Sequence, residues 1–398
     1  MGVGTAAAAG VLSRRGGKLP RGVRIALLVA GILAGALMPL FVDGGGGFLD
    51  DATVALAYVV MALGLNIIVG FAGLLDLGYV AFFAIGAYTM GYFGSLFHFN
   101  ANHGKGIHIL VTGPAAHLPG IHLNFLIIIV LAIIATTIAG MTIGLPTLRL
   151  RGDYIAIVTL AFGEIVGRIA INGDEIHGFG TALTAGRQGI TPVDKIDLPF
   201  VAPFTSLALR PWYWVAFCLV LVALFVNFRL RDSRLGRAWI ALREDEVAAV
   251  SMGVPLVKTK LLAYGTGAAF GGVSGAFLGS YLNTVNADQF QFSFSIFVLA
   301  MVILGGLGSI RGVVLGAIAL SFIDNRLIPD VLNNVPAKIG LNFDLTELSF
   351  GIFGFLLVIM MVLRPEGLLP ERRRQIELQS GIEDLAVDEE IVYHTRVP

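Results

Sequence analysis

The sequence predicts an all-α protein, a polytopic membrane helical bundle with about ten transmembrane helices. Composition is the first observation that supports this fold class. Hydrophobic residues make up 56% of the 398 residues and charged residues only 14%, whereas soluble domains carry about 25% charged residues. The second observation is the high glycine content, 51 residues, because membrane helices use glycine to pack closely. The third is a series of long apolar runs.

These runs predict the individual helices. A bilayer core is spanned by about 20 mainly apolar helical residues, and backbone groups in lipid must find their hydrogen-bond partners within the chain. The runs cover residues 25–42, 53–71, 79–97, 125–144, 154–172, 212–228, 261–282, 292–308, 313–327 and 347–363. The ninth run is the weakest, since Asp324 and Arg326 interrupt it.

The placement of Lys and Arg predicts the orientation, because cytoplasmic segments carry an excess of both. Basic residues precede the first run, fill the segment 229–260 and follow the last run. The long polar segments 98–124 and 173–211 have few basic residues for their length and are expected outside. An even number of spans with both termini in the cytoplasm agrees with this bias.

The chain is thus expected to have three parts. Residues 1–24 form a basic cytoplasmic N-terminus, residues 25–370 the transmembrane domain, and residues 371–398 a mobile cytoplasmic tail whose alternative role is a partner contact. A signal peptide is the alternative for the first run. Its length and the lack of a small-residue cleavage site favour a retained helix.

The segment 237–253 is the first candidate functional site. Small residues beside Glu246 permit a short helix to seat closely in a partner's groove, and Gly253 suits a left-handed helix end. Charged residues on either side offer polar contacts at the rim of such a groove. An ordinary amphipathic connector on anionic lipid is the alternative. The candidate residues are Arg237, Arg243, Glu244, Asp245, Glu246, Ala248, Ala249 and Gly253.

Polar residues within the apolar runs form the second candidate set. Glu164 and Arg168 are four residues apart and share one helix face, beside a Gly163/Gly167 pair suited to close helix contact. They are part of a polar transport path, or a structural ion pair, or charges that lie near the membrane interface. Asp76, in the Gly-rich break 70–78, either caps the next helix or lies near a gate. Candidates for the path are Asn66, Asp76, Thr159, Glu164 and Arg168.

Other patterns argue against an enzyme. The Gly-rich turn 305–312 lacks the Gly-Lys-Ser/Thr of a phosphate loop. Five histidines lie in the segment 98–122, but their loose spacing is no metal-site signature. The single cysteine, Cys218, excludes an intramolecular disulfide framework. A formal net charge of zero gives no indication of nucleic acid binding, and neither a catalytic residue set nor a metal site is expected.

Ordered motifs along residues 55–370 resemble a known family, the LivM-type permeases of bacterial branched-chain amino acid ABC importers. They are GLLDLGY at 73–79, AIGAY at 84–88, GDYIAIVTL at 152–160, FGEIV at 162–166, LGRAW at 235–239, ALREDE at 241–246, FVLA at 297–300, the Gly-rich turn at 305–309 and RPEGLLP at 364–370. One departure is TAGRQGI at 184–190, where the family usually has a Thr-Gly-Gly-x-Asn-Gly-like turn.

The resemblance implies an ABC importer permease fold in the bacterial inner membrane and a set of partners. These are a second, LivH-type permease, two cytoplasmic ATPase subunits that bind ATP and Mg²⁺, and an extracytoplasmic binding protein that delivers Leu, Ile or Val. Residues 237–253 would then be the coupling helix, and this chain would need no cofactor. The alternatives are a permease for urea, short amides or other amino acids, and an ion-gradient secondary transporter that uses Glu164.

Overall fold

A computed structural model describes residues 21–42, 46–99, 106–111, 117–148, 150, 153–178, 181–197, 204–205, 208–332, 349–364 and 367–369. The predicted basic segment up to residue 20 and the tail after residue 370 lie outside the described residues. The predicted fold class is confirmed: the described chain is mostly helical, and its strands are short.

Helices follow the apolar runs in order. They are α1 (Arg21–Phe41), α2 (Gly47–Leu65, continued by a π-helix at Asn66–Phe71), α3 (Val80–Phe93), α4 (Phe125–Thr147), α5 (Asp153–Asn172), α6 (Leu209–Asp232), α7 (Arg234–Glu244), α8 (Glu246–Ser251), α9 (Leu256–Tyr281), α10 (Phe292–Gly305), α11 (Ile310–Phe322, continued by a π-helix at Ile323–Leu332) and α12 (Ser349–Leu363).

The predicted spans match these helices one for one. In the described part of the chain, six helices are long and apolar enough to cross a membrane, and four further apolar helices have 10–17 residues. Each of the ten predicted runs overlaps one of them. The two additional helices, α7 and α8, lie in the segment 229–260, which the sequence predicts to be cytoplasmic.

Charged residues explain where the predicted boundaries of two spans differ from the structure. Helix α2 begins at Gly47 rather than at residue 53, and it includes Asp50 in its first turn, where a carboxylate is favourable to the helix dipole. Arg326, which interrupts the ninth run, lies 3.5 Å from a carboxylate oxygen of Asp51. The two charges therefore meet at the predicted outer end of the bundle.

The centre of the bundle is formed by α2 and α9. In the most apolar 18-residue stretch of α2, 83% of the residues are buried, and in that of α9 the buried share is 67%. The corresponding share is 28% in each of α4, α5 and α6. Glycine permits this close packing: a Cβ placed on Gly86 of α3 would overlap the carbonyl oxygen of Gly272 in α9. The glycine-rich composition thus reflects direct backbone contact between helices.

The segments between α3 and α6 form two small sheets, which the sequence did not predict. Strand β1 (Gly94–Ser95) pairs antiparallel with β3 (Gly120–Leu123), and β2 (Gly106–Ile109) pairs with β3 in parallel. Strands β4 (His177–Gly178) and β5 (Thr181–Ala182) form an antiparallel pair. All five lie at the predicted outer end, opposite α7 and α8.

We expect Gly86→Ala to lower the free energy of unfolding by about 1–3 kcal/mol, because the added Cβ overpacks the contact with α9. Gly351→Ala is the matched control, since a Cβ at Gly351 meets nothing within 4 Å. Thermal unfolding of the purified full chain in detergent compares the two. Equal melting temperatures for both variants would contradict the role of Gly86.

Candidate functional site

The segment predicted to contact a partner consists of α7 and α8, joined at Asp245. The side chain of Asp245 accepts hydrogen bonds from the backbone N–H groups of Val247 and Ala248, at 2.8 and 2.9 Å, and caps α8. Gly253 has a φ of +86°, so this helix ends in the left-handed turn that the sequence predicted. Asp245 therefore has a structural role within the segment.

The exposed surface of α8 is mostly apolar. Val247 is 66% exposed, Val250 45% and Met252, just after the helix, 86%. Ala248 is exposed as well, but Ala249 is buried against its own chain, which differs from the predicted docking role. Glu246 lies 2.8 Å from Nζ of Lys260 and so anchors α8 to α9. The surface available to a partner is thus formed by side chains larger than the predicted small ones.

Helix α7 is attached to the transmembrane bundle at two points. The indole N–H of Trp239, a fully buried residue, donates to the carbonyl oxygen of Thr259 at 2.8 Å. The guanidinium of Arg243 donates to the carbonyl oxygen of Gly70 at 2.5 Å, and its aliphatic part packs on Gly73. Helix α7 is therefore in direct contact with the end of the second span.

That end is the predicted Gly-rich break. Asn66 starts the π-helix, is completely buried, and its side-chain oxygen accepts a hydrogen bond from the backbone N–H of Gly308 at 2.9 Å. Gly70 is also packed against Gly308. The break at 70–78 and the Gly-rich turn at 305–312, which lie far apart in the sequence, are thus in direct contact.

Asp76 is buried within the break. One of its carboxylate oxygens accepts from the backbone N–H of Gly78 at 2.9 Å, and the hydroxyl oxygen of Thr159 accepts from the N–H of Leu77 at 3.0 Å. Asp76 therefore closes the turn before α3. It is not the N-cap of that helix, which was one of the two roles considered from the sequence, because the N-cap residue is Tyr79.

Glu164 and Arg168 are both exposed on α5. Within the described ranges, no ion pair or hydrogen bond joins their side chains to each other or to a further residue, so the alternative of a structural ion pair is wrong. The small residues on the same helix do make close contacts: a Cβ on Gly163 would lie 3.0 Å from Cα of Gly78, and one on Gly167 would lie 3.0 Å from the carbonyl oxygen of Phe290.

Both charged residues line a cleft of about 420 Å³, which we call the α5 cleft. Its other walls come from the turn Gly186–Gln188 and from the segment 287–293 at the start of α10. The sequence did not single out Asp288 or Gln291, because only the fold brings their segment next to α5. Besides Glu164 and Arg168, the cleft is lined by Gly167, Ile171, Arg187, Ala287, Asp288, Phe290, Gln291, Phe292 and Ser293.

The histidine-rich segment holds one buried ionic contact. Nδ1 of His122 lies 2.6 Å from Oδ2 of Asp194, and the strand register places His108 opposite His122 with stacked rings. Burial disfavours the charged form of His122, but the hydrogen bond and negative charge of Asp194 outweigh it, so the pKa of His122 is raised. Among the residues that the structure describes, three or more potential metal ligands do not converge anywhere.

Comparison with known proteins identifies the family. The profile described as "Branched-chain amino acid transport system / permease component" matches residues 48–361. The chain belongs to this permease family. Its multi-pass helical architecture, with several helices able to cross a membrane, agrees with a transport component.

Individual relatives of this permease support the assignment. The chain is 37% identical to the high-affinity branched-chain amino acid transport system permease protein LivM of Salmonella typhimurium and of Escherichia coli, over 89% of this chain and 77% of each relative. It is 25% identical to LivH of Escherichia coli over 43% of the chain and 49% of LivH. No solved structure gives a significant match.

We expect the melting temperature of the wild-type permease to fall as the pH rises above about 6.5, the ordinary pKa of histidine. Because the folded state raises the pKa of His122, the stabilisation is complete below that value and is lost as the pH passes the folded-state pKa. His122→Gln should remove this dependence, and His177→Gln, at an exposed histidine, should keep it. Identical pH profiles for wild type and His122→Gln would contradict the assignment.

Proposed function

We propose that this chain is the membrane permease subunit of an ATP-driven importer that carries Leu, Ile or Val across the bacterial inner membrane. The names of its relatives support this substrate class. The observation that carries the proposed mechanism is the attachment of α7 and α8 to the break at 70–78 through Arg243. A permease driven by a separate motor requires such a connection.

The other steps of transport belong to partner chains. A LivH-type permease completes the channel, two cytoplasmic ATPase subunits bind ATP and Mg²⁺, and an extracytoplasmic protein delivers the substrate. This chain requires no cofactor of its own. Both termini lie in the cytoplasm, in agreement with the basic residues of the segment 229–260. The exposed apolar residues Val247, Val250 and Met252 fit a groove on an ATPase subunit.

Coupling then proceeds from α8 to the path. Displacement of α8 moves α7, and Arg243 passes this movement to Gly70. Since Gly70 and Asn66 both touch Gly308, the break at 70–78 and the turn at 305–312 shift together. We assign Asn66, Asp76 and Thr159 to a gate at the cytoplasmic end, and Glu164 and Arg168 to the outer part of the path.

The function is tested by uptake in proteoliposomes that contain the complete complex and its binding protein. We expect labelled leucine to accumulate only with ATP, to be unaffected by dissipation of ion gradients, and to persist in Glu164→Gln at a measurable rate. Labelled urea and acetamide should not accumulate. Gradient-driven uptake without ATPase subunits would instead indicate a secondary transporter, and uptake of urea or acetamide in place of leucine would indicate a different substrate class.

Arg243→Ala should reduce leucine uptake and substrate-stimulated ATP hydrolysis by about tenfold or more, since a hydrogen bond to a charged group contributes roughly 1.5–3 kcal/mol. Arg234→Ala is the matched control, because Arg234 is exposed on the same helix. Recovery of the ATPase subunits with each variant complex shows whether assembly is intact. Unchanged uptake and hydrolysis in Arg243→Ala would contradict the coupling role.

A further inference from the structure

The α5 cleft presents charged groups on a helix that is long and apolar enough to cross a membrane. Glu164 and Arg168 lie in the membrane-spanning stretch of α5, Tyr154–Asn172, and they are exposed without a partner among the described residues. Ionisable side chains in transmembrane segments almost always face the interior of a bundle or a water-filled cavity. This face of α5 is therefore expected to border a polar space and not lipid.

The fold brings two further charges to the same cleft. Arg187 belongs to the turn Gly186–Gln188, and Gly186 and Gly189 on either side of it have φ angles of +57° and +70°. Ile190 and Val285 exchange two backbone hydrogen bonds of 2.9 and 3.0 Å, which fixes this turn beside the turn Ala287–Phe290 that carries Asp288. The positions of Arg187 and Asp288 are thus set by the backbone.

The apolar part of the cleft is continuous with the core of the bundle. Phe290 is buried, and its ring packs against those of Phe83 and Tyr88, with centroid distances of 5.8 and 5.4 Å. Ile171 and Phe292 add further apolar surface. Small-molecule sites typically enclose roughly 300–1,000 Å³ and combine an apolar lining with a few convergent polar groups. The α5 cleft, at about 420 Å³, has this size, and its lining is more polar than apolar, which suits a charged ligand.

We propose that the α5 cleft binds a free α-amino acid with an aliphatic side chain as it enters the permease. Arg168 and Arg187 bind the carboxylate, since a guanidinium pairs with a carboxylate through two parallel hydrogen bonds. Glu164 and Asp288 bind the ammonium group, and the aliphatic side chain packs on Ile171 and Phe292, which line the cleft and are only partly buried. Two cations and two anions match a zwitterion, whereas urea and simple amides offer no charges to them. This inference rests on the proposed function and locates a binding site for its substrate on this chain.

Direct binding tests the cleft without the binding protein. The complex of this chain with its permease and ATPase partners is placed in nanodiscs, and binding of leucine is compared with that of leucinamide, which lacks the carboxylate, and 4-methylpentanoate, which lacks the ammonium group. The wild-type complex should bind leucine about tenfold or more tightly than either analogue, because each analogue leaves one pair of charges without a partner. Absence of leucine binding by this complex would overturn the proposal.

Single substitutions of the four charged residues test which group of leucine each one binds. Arg168→Gln and Arg187→Gln should weaken leucine binding about tenfold or more and abolish the preference over leucinamide, because these residues bind the carboxylate. Glu164→Gln and Asp288→Asn should abolish the preference over 4-methylpentanoate. Arg210→Gln and Glu175→Gln are matched controls, since both residues are exposed and do not line the cleft. If all four cleft variants keep the wild-type preference for leucine over both analogues, the proposal is overturned. That result is also the one expected if the cleft contacts only another protein.

Leucine uptake by the complete transporter separates this inference from the proposed function. If the wild-type complex imports leucine while the four cleft variants import it with unchanged KM, the cleft assignment fails and the importer assignment stands. If the wild-type complex imports a different solute, the proposed substrate class fails. An increase in KM for leucine in the cleft variants, with the controls at the wild-type value, supports both.

Discussion

The hydrogen bond from Arg243 to the carbonyl oxygen of Gly70 depends on an interruption of the second transmembrane helix. In a continuous α-helix, that oxygen would accept from the N–H of Leu74. Here the N–H of Leu74 bonds instead to the carbonyl oxygen of Ile68 at 3.0 Å. A buried backbone oxygen without a partner is costly, so the π-helical end of α2 both creates the acceptor and requires a donor. Arg243 supplies that donor from α7.

Close backbone packing makes the rest of this junction possible. A Cβ on Gly70 would overlap the side chain of Asn66 and approach the N–H of Gly308 to 2.7 Å. Gly73 has a φ of +69°, which favours glycine, and the side chain of Arg243 lies against it. The Gly-rich turns are therefore the points where segments from α2, α7 and α10 meet. Glycine is needed there because the three backbones approach one another within one side-chain diameter.

The sequence predicted the bundle well because a transmembrane helix is a local property of about 20 residues. The prediction from sequence was less accurate where a side chain finds its partner far away in the chain. Asp50 and Asp51 were predicted to lie before the second span, but both belong to α2. There Asp50 contacts Tyr281, and Asp51 contacts Arg326. The i to i+4 spacing of Glu164 and Arg168 also permitted an ion pair that the described residues do not form, because spacing fixes the helix face but not the rotamers.

The candidate site was predictable as a set of residues but not as an arrangement. The sequence identified Arg243, Asn66 and Asp76 separately, because each polar residue stands out in or beside an apolar run. It contained no signal for the contact between Asn66 and Gly308, which are 242 positions apart, or for the approach of Asp288 to α5. Such contacts depend on the order in which helices pack, and hydropathy does not encode that order.

Helix α5 connects the two ends of the candidate path. Near its start, the hydroxyl of Thr159 holds the N–H of Leu77 in the break, and Gly163 packs against Gly78. Arg168, about 13 Å further along the axis at 1.5 Å per residue, lines the α5 cleft. An α-helix is stiff over this length, so a shift of the break that displaces Thr159 also displaces Arg168 relative to Asp288. The geometry of the proposed amino acid site and the position of α7 are therefore linked through one helix.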